Sequence, residues 1–291
     1  MFQASPAAES WLIVGCGYVG QEVARLGLEA GHTVYALTRS TVRFAELQQL
    51  GIQPLVGHWL QRQDLDSLPP VTRILIAVPH REDGGLGEQT HRRGLSQLLA
   101  ALPDGWSKLV YLSSTGVYGQ DSQRPVDEDT PVCPTRLGPR IAVAAEQWLE
   151  EHWAAEKYTV LRLAGIYGPG RIPLLDKLRH GEPLAVPRSG YLNLVHRTDI
   201  ARMLLPVLSQ ALPRSVYVFS DGQPVLRETF YRYLAALAGV AQPSFAPPDA
   251  HSPRARRATD KRIDPSRLVR QTNFEFRFPD YRSGLEAALK S

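Results

Sequence analysis

The sequence predicts a doubly wound α/β fold, in which helices cover both faces of a parallel sheet. Two observations support this prediction. Through the first half of the chain, apolar runs of strand length alternate with segments in which apolar residues recur at helical spacing. In addition, a turn that contains Gly15, Gly17 and Gly20 joins the first apolar run to the first helical segment. With 291 residues, 43% of them apolar, the chain is long enough to bury a sizeable core.

The first half of the chain is expected to supply the sheet. The apolar runs predict strands at residues 11–14, 33–37, 52–56, 73–78, 108–113 and 158–163, and Pro54 interrupts the third of them. Helical spacing predicts helices at residues 19–30, 43–50, 95–102 and 141–156. Strands that alternate with helices imply crossover connections and therefore a parallel sheet.

The pattern changes after Gly165, where loops rich in glycine and proline begin. Helices are expected near residues 199–208 and 226–238 and after Pro279, with a strand at 216–219. We therefore predict a first domain at residues 1–165 and a smaller α+β lobe at 166–291 that packs on it, with the chain free to cross back between them.

Composition argues against several kinds of protein. The chain has no run of ~20 apolar residues that could cross a bilayer, and its first residues do not resemble a secretion signal. We expect a cytoplasmic protein with no membrane partner. The two cysteines, Cys16 and Cys133, fit neither a disulfide framework nor a metal site, so no metal is expected. Cys16 is interpreted as a small residue in the turn, although a thiol near a helix N-terminus can be reactive.

The net charge of +4 and the isoelectric point near 9.1 do not predict a nucleic-acid partner. Basic residues are spread along the chain, and no recognition module or basic stripe with interleaved aromatic residues accompanies them. One dense basic group lies late in a proline-rich segment and consists of Arg254, Arg256, Arg257, Lys261 and Arg262. A solvated loop is the favoured interpretation of this group.

The glycine turn has the G-x-G-x-x-G spacing of a dinucleotide-binding motif. In that motif Gly15 permits the turn, Gly17 lets a pyrophosphate approach the backbone, and Gly20 lets the helix pack closely against the strand. The anion would lie at the helix N-terminus, near Tyr18 and Val19, where unpaired N–H groups point outward. Packing alone can also require such glycines, but the flanking strand and helix favour a dinucleotide site in the first domain.

The end of the second predicted strand indicates which dinucleotide is bound. An acidic residue there accepts a hydrogen bond from the ribose 2′-hydroxyl of NAD, whereas an arginine accommodates the 2′-phosphate of NADP. This strand ends without a carboxylate and is followed by Arg39 and Ser40. Arg39 offers a planar fork suited to a phosphate, so NADP is favoured over NAD. A surface arginine that binds no ligand is the alternative.

Two further strand ends should face the same cofactor, because ligands of open α/β sheets bind beyond the carboxyl ends of the strands. Ala77, Val78 and Pro79 end the fourth apolar run and are expected to line the middle of the cofactor. The fifth strand ends in LSSTGVYG at residues 112–119. Its Ser113 is expected to face the nicotinamide, although serines at strand ends also serve local hydrogen bonding.

Four segments in order carry a resemblance to a known family: GCGYVG at 15–20, YLSSTGVYG at 111–119, LRLAGIYGPGR at 161–171 and NLVHRTDIARML at 193–204. Together with SDGQPV at 220–225 and DKRIDPSRL at 260–268, they resemble the extended short-chain dehydrogenase/reductases, the NAD-dependent epimerase/dehydratase family. The resemblance implies a Rossmann-type domain, a smaller C-terminal substrate lobe, and hydride chemistry on a nucleotide sugar. It also implies that Ser114 hydrogen-bonds the substrate, and it makes a homodimer one expectation because members often dimerise.

The sequence departs from this family at the proton-transfer pair. Members carry a Tyr and a Lys at Y-x-x-x-K spacing on the helix after the fifth strand, where the lysine lowers the tyrosine pKa so that the phenolate can act as general base. The equivalent window here, residues 133–149, contains neither, and no Tyr or Lys occurs from residue 119 to residue 156. Arg136 and Arg140 lie closest to the expected positions. Arginine is a poor general base, so Arg140 is predicted to act only as an electrostatic aid.

Other polar groups near these motifs receive structural interpretations. His196 titrates in a useful range, but a loop anchor beside an N-capping Asp199 is favoured. Asp127, Glu128 and Asp129 are interpreted as a solvated acidic loop rather than as a group that holds a substrate hydroxyl.

Two hypotheses about function remain open. The first is an NADP-binding enzyme that acts on a sugar-like or nucleotide-linked small molecule, with Ser113, Ser114 and Thr115 facing the nicotinamide and the substrate. The second is a cofactor-binding sensor or scaffold without turnover, which the missing Tyr and Lys motivate. Loss of turnover after mutation of Ser114 would distinguish the first from the second.

Overall fold

The computed structural model describes residues 8–119, 125–247 and 260–290. In this part of the chain the strands are β1 (Ser10–Val14), β2 (Thr33–Thr38), β3 (Gln53–Val56), β4 (Arg73–Ile76), β5 (Lys108–Ser114), β6 (Tyr158–Leu163), β7 (Gly165–Tyr167), β8 (Leu184–Ala185), β9 (Tyr191–Leu192), β10 (Leu194–His196), β11 (Val216–Phe219), β12 (Val225–Leu226) and β13 (Phe245–Ala246). The α-helices are α1 (Tyr18–Glu29), α2 (Phe44–Gln49), α3 (Thr90–Ala101), α4 (Leu137–His152), α5 (Leu175–Arg179), α6 (Arg197–Ser209), α7 (Arg227–Leu237), α8 (Ser266–Thr272) and α9 (Tyr281–Lys290).

The central sheet of the described chain has seven strands in the order β11-β6-β5-β4-β1-β2-β3. Strand β1 pairs in parallel with both β2 and β4, so that Ile13 lies between Ala36 and Leu75. Strands β3 and β5 extend this pairing in parallel on either side. The strand order reverses between β1 and β4, and a doubly wound sheet binds its ligand in the crevice at this point. The predicted fold class, a Rossmann-type doubly wound sheet, is confirmed.

Most predicted elements form close to their predicted positions because their apolar patterns are strong. Strands β6 and β11 have the predicted bounds, and β6 is buried along its whole length, as a strand covered on both faces should be. Helix α4 differs most from its prediction at 141–156, since it begins at Leu137 and ends before the extended Trp153. Its start precedes Pro139, which a first helical turn tolerates because the N–H groups there have no intrahelical partner.

The chain divides into two compact units. The first comprises Met1–Ser113, Pro134–Leu161 and Ala201–Val216, and the second comprises Ser114–Cys133, Arg162–Ile200 and Tyr217–Ser291. Aromatic side chains occupy both cores, among them Trp59 and Tyr111 in the first and Phe230 and Tyr281 in the second. The domain bounds at residues 165 and 166 stay a prediction. Among the described helices, none has the length and apolar character that a membrane span requires.

Within the acidic residues 127–129, Glu128 is not solvated, which corrects the interpretation from sequence at that position. The Glu128 side chain is only 2% exposed, and its Oε1 accepts a hydrogen bond from the Val218 N–H at 3.1 Å. Arg267 lies 3.5 Å from Glu128 and 2.7 Å from Asp129. Burial raises the pKa of Glu128. Glu128 is therefore a buried anchor of the second unit, whereas the side chains of Asp127 and Asp129 are 39% and 53% exposed.

The interpretation of Asp199 as an N-cap is also wrong, because α6 already begins at Arg197. Its carboxylate instead accepts hydrogen bonds from the N–H groups of Arg277 and Phe278, at 2.8 and 3.0 Å. The neighbouring His196 accepts a hydrogen bond at Nδ1 from the Thr198 N–H at 3.2 Å. These contacts fit a loop anchor and do not indicate proton transfer.

Asp221 carries a buried carboxylate in the second unit. Its Oδ1 accepts a hydrogen bond from the Gln223 N–H at 2.9 Å, whereas its Oδ2 has no hydrogen-bond partner among the described residues. Burial is the main reason that the pKa of Asp221 is raised to about 7, and the carboxylates of Asp280 and Asp199 add to the effect. The folded protein therefore holds this proton more tightly than the unfolded chain does.

We expect this group to lower stability as the pH rises. In the unfolded chain an aspartate titrates near ~3.9, so the free energy of unfolding should fall between about pH 4 and about pH 7 and level off above that. Relative to wild type, Asp221→Asn should become more stable by up to roughly 4 kcal/mol across this range. Urea unfolding at a series of pH values measures the difference, with the exposed Asp104→Asn as control. A difference that does not change with pH would contradict the prediction.

Candidate dinucleotide-binding site

The glycine turn lies at the carboxyl end of β1 and leads directly into α1. The Gly17 N–H donates to the Gly15 carbonyl at 2.7 Å, and the Gln21 N–H donates to the Gly17 carbonyl at 2.9 Å, which starts the helix. Gly15 has a φ of 88°, a left-handed conformation that glycine adopts without steric cost. The turn is consequently tight and redirects the chain within three residues.

The three glycines of this turn are required for different reasons. A Cβ at Gly15 would lie 2.8 Å from the carbonyl atoms of Ala77, and a Cβ at Gly20 would lie 2.8 Å from the Gly15 oxygen. A Cβ at Gly17 would meet no atom nearer than 4.0 Å. Packing therefore accounts for Gly15 and Gly20 but not for Gly17, where the missing side chain leaves room for a ligand to approach the backbone.

The N-terminus of α1 suits an anion. Gly17 is its N-cap, no side chain caps it, and no acidic residue occupies its first turn. The N–H groups of a first helical turn lack intrahelical acceptors, and the helix dipole favours negative charge there. Val19 and Gly20 are buried against the sheet side of the helix, while Tyr18 is half-buried. A pyrophosphate fits this arrangement of backbone and open space.

The segment after β4 lies beside the turn. The Ala77 N–H donates to the Val14 carbonyl at 2.8 Å, which continues the β1–β4 pairing up to Gly15. His91 of α3 anchors the same segment, because its Nε2 lies 3.1 Å from the Pro79 oxygen and its Nδ1 lies 2.8 Å from the Tyr111 hydroxyl. Burial lowers the pKa of His91 to about 3, so the ring is neutral. The structure thus brings together the turn and the half-buried Ala77 and Val78, with Pro79 exposed beside them.

Arg39 and Ser40 follow β2 and are both exposed. The Arg39 side chain is 74% exposed, and its Nη1 lies 3.5 Å from Asp83 Oδ2. The Ser40 hydroxyl oxygen accepts a hydrogen bond from the Val42 N–H at 3.2 Å and thereby caps a short 3₁₀ turn. Both residues are accessible to a ligand, but neither contact by itself points to a phosphate.

A second arginine in this stretch was missed by the sequence analysis. Arg43 ends the 3₁₀ turn rather than starting a helix, and its Nη1 donates to the Cys16 carbonyl at 3.1 Å. Its guanidinium therefore lies against the glycine turn itself. The sequence carries one signal for such a contact, since Arg43 is a second basic residue four positions after Arg39. Residue 43 was instead assigned to the predicted helix at 43–50.

Ser113 and Arg140 are both engaged within the first unit. The buried Ser113 hydroxyl donates to Glu146 Oε1 of α4 at 2.5 Å. Arg140 Nε lies 3.0 Å from Glu88 Oε1, and about half of each side chain is exposed. The first turn of α4 packs closely on the segment after β4, because a Cβ at Gly138 would lie 3.0 Å from the His80 oxygen. Tyr and Lys are absent from the whole of α4.

Ser114 and Thr115 belong to the second unit, where they begin a 3₁₀ turn. The Ser114 hydroxyl oxygen accepts a hydrogen bond from the Gly116 N–H at 3.1 Å. That contact uses the hydroxyl as an acceptor and leaves its O–H to act as a donor. Ser114 is half-buried, whereas Thr115 is buried. Their geometry allows a hydrogen bond from Ser114 to a substrate.

Lys261 holds the same turn and was not identified as a site residue from the sequence. Its Nζ donates to the carbonyl oxygens of Thr115 and Gly119 at 2.7 and 3.0 Å, and the side chain is buried. Asn193 fixes it in turn by donating to the Lys261 carbonyl at 2.9 Å. The interpretation as a solvated loop is therefore wrong for Lys261. Arg254, Arg256 and Arg257 of the same basic group lie outside the described residues, whereas Arg262 is half-buried and lies 5.8 Å from the centroid of the Tyr191 ring.

Cys16, in the middle of the glycine turn, is buried. Burial raises the pKa of the Cys16 thiol to about 12, and the nearby Arg43 guanidinium offsets this only in part. A thiol with such a pKa stays protonated near neutral pH, and a protonated thiol is a poor nucleophile. The helix N-terminus does not make this cysteine reactive.

We therefore expect thiol reagents to distinguish the two cysteines. Under native conditions at about pH 8, a disulfide reagent such as DTNB should modify the exposed Cys133 and leave Cys16 intact, whereas both should react after unfolding. The released thionitrobenzoate measures the stoichiometry. In Cys133→Ser the native protein should release almost none, and rapid release from that variant would show that Cys16 is reactive.

Comparison with known proteins agrees with this architecture. Residues 11–218 match the sequence model of the NAD dependent epimerase/dehydratase family. Protein YeeZ of Escherichia coli strain K12 is 31% identical over 224 residues, which cover 75% of each chain. The structure of a putative NAD-dependent epimerase/dehydratase from Methylobacillus flagellatus is 29% identical, with a TM-score of 0.78 over 98% of both chains.

A more distant structure shares the fold. The Bordetella bronchiseptica enzyme WbmG, solved in complex with NAD and UDP, has a TM-score of 0.80 at 17% identity, and the match covers 98% of this chain and 94% of that one. The likeness at this identity shows the fold alone. The family match and the similarity to YeeZ extend over most of the chain. This protein therefore belongs to the NAD-dependent epimerase/dehydratase family.

Proposed function

We propose that this protein binds NADP at the glycine turn and uses it for hydride chemistry on a sugar-like or nucleotide-linked substrate. The observation that carries the proposal is the open space at Gly17, beside a helix N-terminus that no side chain caps. Packing explains the other two glycines of the turn but leaves this one unexplained. Family membership supports the same cofactor class.

Each group of residues has a distinct part in this proposal. Backbone N–H groups from Gly17 to Gly20, around Tyr18 and Val19, hold the pyrophosphate. Arg39 and Ser40 hold the adenosine ribose, and the segment of Ala77, Val78 and Pro79 lines the middle of the cofactor. NADP, when bound, supplies the group that accepts or donates the hydride.

The preference for NADP rests on charge after β2. Residues 36–40 carry no carboxylate that could accept a hydrogen bond from a ribose 2′-hydroxyl, and Arg39 is the charged residue among them. Arginine binds phosphate through a planar fork of donors. The adenosine 2′-phosphate that distinguishes NADP from NAD fits this charge pattern better than a hydroxyl does.

The substrate side of the proposal rests on Ser114 and Thr115. Ser114 keeps its O–H as a donor, and Lys261 fixes the turn that carries it. Ser113 is held by Glu146 and so positions the end of β5. A nucleotide-linked substrate is suggested by WbmG, a fold neighbour whose structure contains UDP. Arg140 would assist electrostatically once it is released from Glu88.

A sensor or scaffold without turnover is the second candidate function. The observation that favours it is α4, which carries neither the Tyr nor the Lys of the family. General acid–base catalysis contributes about 10²- to 10⁴-fold to a rate, so its loss leaves either slow turnover or none. Both candidates require cofactor binding, and they differ in whether Ser114 matters for a reaction.

Binding of NADPH tests the first part of the proposal. The wild-type protein should enhance or quench NADPH fluorescence at micromolar concentration, and Gly17→Ala should weaken this binding about tenfold or more, because the methyl group fills the space for the pyrophosphate. Gly17→Ala should melt at the wild-type temperature, since its Cβ meets no atom nearer than 4.0 Å. The contrasting Gly15→Ala should lose roughly 2–4 kcal/mol of stability. A wild-type protein that binds neither NADPH nor NADH would overturn the proposal.

Turnover tests the second part. With NADP and a panel of nucleotide-diphosphate sugars, Ser114→Ala should lower the rate of cofactor reduction or product formation roughly ten- to hundredfold, because it removes a hydrogen bond to the substrate. Ser209→Ala is the control, since that hydroxyl bonds the Leu205 carbonyl of its own helix at 2.9 Å. If both variants match wild type and cofactor binding persists, the sensor is the better conclusion.

A further inference from the structure

The segment between β4 and α3 reaches across the carboxyl end of β1. Its Asp83 lies seven residues after the end of β4. One carboxylate oxygen, Asp83 Oδ2, lies 3.2 Å from His58 Nε2 and 3.5 Å from Arg39 Nη1. Arg39 follows β2 directly, and His58 lies two residues after the end of β3. The loops that follow three different strands therefore meet at a single carboxylate.

The sheet order shows what this contact crosses. In the order β4-β1-β2-β3, strand β1 and its glycine turn lie between β4 and the two strands that precede Arg39 and His58. Neighbouring strands are ~4.8 Å apart, so β4 and β3 are separated by roughly 14 Å. A side chain after β4 can meet residues after β2 and β3 only if its segment crosses the carboxyl end of β1. The sheet order reverses here, at the crevice in which a doubly wound sheet binds its ligand.

Residues 80–87 form a strap that is tied to the first unit at both ends. At its start, His91 Nε2 lies 3.1 Å from the Pro79 oxygen. At its end, the Thr90 hydroxyl donates to the Gly87 carbonyl at 2.7 Å. Pro79 continues from β4, and Thr90 and His91 begin α3. The two ends of the strap are therefore fixed by the sheet and by a helix.

Two glycines in the middle of the strap lie in open space. Gly84 and Gly85 have φ values of 66° and 72°, which glycine adopts without steric cost. A Cβ at either position would meet no atom within 4 Å, and both residues are exposed. Because no packing holds this part of the strap, it can swing about its tied ends when Asp83 detaches.

His58 offers Asp83 a fixed donor. The His58 N–H donates to Asp64 Oδ2 at 3.0 Å, and His58 Nδ1 accepts from the Leu60 N–H at 3.3 Å. A ring that accepts at Nδ1 carries its proton on Nε2, so Nε2 donates to the Asp83 carboxylate. The side chain of His58 is 21% exposed, against 44% for Asp83. His58 is therefore the fixed partner of this contact, and Asp83 is the one that moves.

We propose, resting on the cofactor site argued above, that the strap is a gate over the bound dinucleotide and that Asp83 is its latch. The cofactor enters and leaves while Asp83 is detached from His58 and Arg39, and it is enclosed while they are joined. An exposed ion pair is weak, which suits a latch that opens in every binding event. Asp83 holds a segment of the protein rather than the ligand, so it sets the rates of cofactor exchange and not the affinity.

Amide hydrogen exchange tests the latch without any cofactor. The Arg81 N–H of the strap donates to the Pro79 carbonyl at 2.7 Å. In Asp83→Ala the protection factors of the strap, this N–H included, should fall about threefold or more. Glu82→Ala is the matched control, because it removes the same charge from the neighbouring, exposed position of the strap and should leave the protection as in wild type. Equal protection in the two variants, measured by mass spectrometry, would overturn the latch.

Stopped-flow measurement of NADPH fluorescence tests the gate. Relative to Glu82→Ala, Asp83→Ala should raise the association and dissociation rate constants by the same factor, about threefold or more, and so leave the Kd unchanged. The matched control accounts for the general effect of a less acidic strap on an anionic ligand. His58→Phe keeps a ring but has no donor, so it should change both rate constants in the same direction as Asp83→Ala. Melting temperatures establish that each variant is folded.

The outcomes separate this inference from the proposed function. Faster hydrogen exchange of the strap without faster cofactor exchange would mean that the strap does not cover the ligand, which overturns the gate. A changed Kd at an unchanged association rate constant would make Asp83 a ligand contact, with the same consequence. If the wild type binds NADH but not NADPH, the kinetics are measured with NADH. If it binds neither, the proposed function falls and the gate falls with it, whereas hydrogen exchange still decides whether Asp83 holds the strap.

Discussion

The close approach of two backbone segments, the turn after β1 and the segment after β4, is the constraint on which the site depends. A side chain at Gly15 would lie 2.8 Å from the Ala77 carbonyl atoms, so only glycine permits the contact. Because β1 pairs with both β2 and β4, the sheet order reverses at this point and the N-terminus of α1 opens onto the resulting crevice. His91 holds the segment after β4 in place, because its Nε2 lies 3.1 Å from the Pro79 carbonyl oxygen.

Two uncharged histidines, His80 and His91, support the segment after β4 where it lies next to α4. Burial lowers the pKa of His80 to about 4 and that of His91 to about 3, so both rings are uncharged near neutral pH. The first turn of α4 packs on His80 through Gly138, where a larger side chain would meet the His80 backbone.

Charged residues of the second unit act mainly as anchors for loops. Lys261 binds the carbonyls of Thr115 and Gly119, Asp199 binds the N–H groups of the chain near Phe278, and Glu128 binds the Val218 N–H. Each charge satisfies backbone groups, and a backbone group that is buried without a partner is costly. The sequence favoured solvated loops for Lys261 and Glu128, because the partners of these residues lie far along the chain. Lys261 and Thr115 are 146 residues apart.

The sequence by itself determined the fold class, the glycine turn and the strands of the sheet, because apolar periodicity and glycine spacing are local properties. β6 and β11 were predicted to the residue for this reason. Only the tertiary structure decided that Gly17 has open space, that Arg43 reaches Cys16 and that Lys261 is buried. Those facts depend on how distant segments approach one another. Side-chain roles follow from such contacts, and no spacing along the chain encodes them.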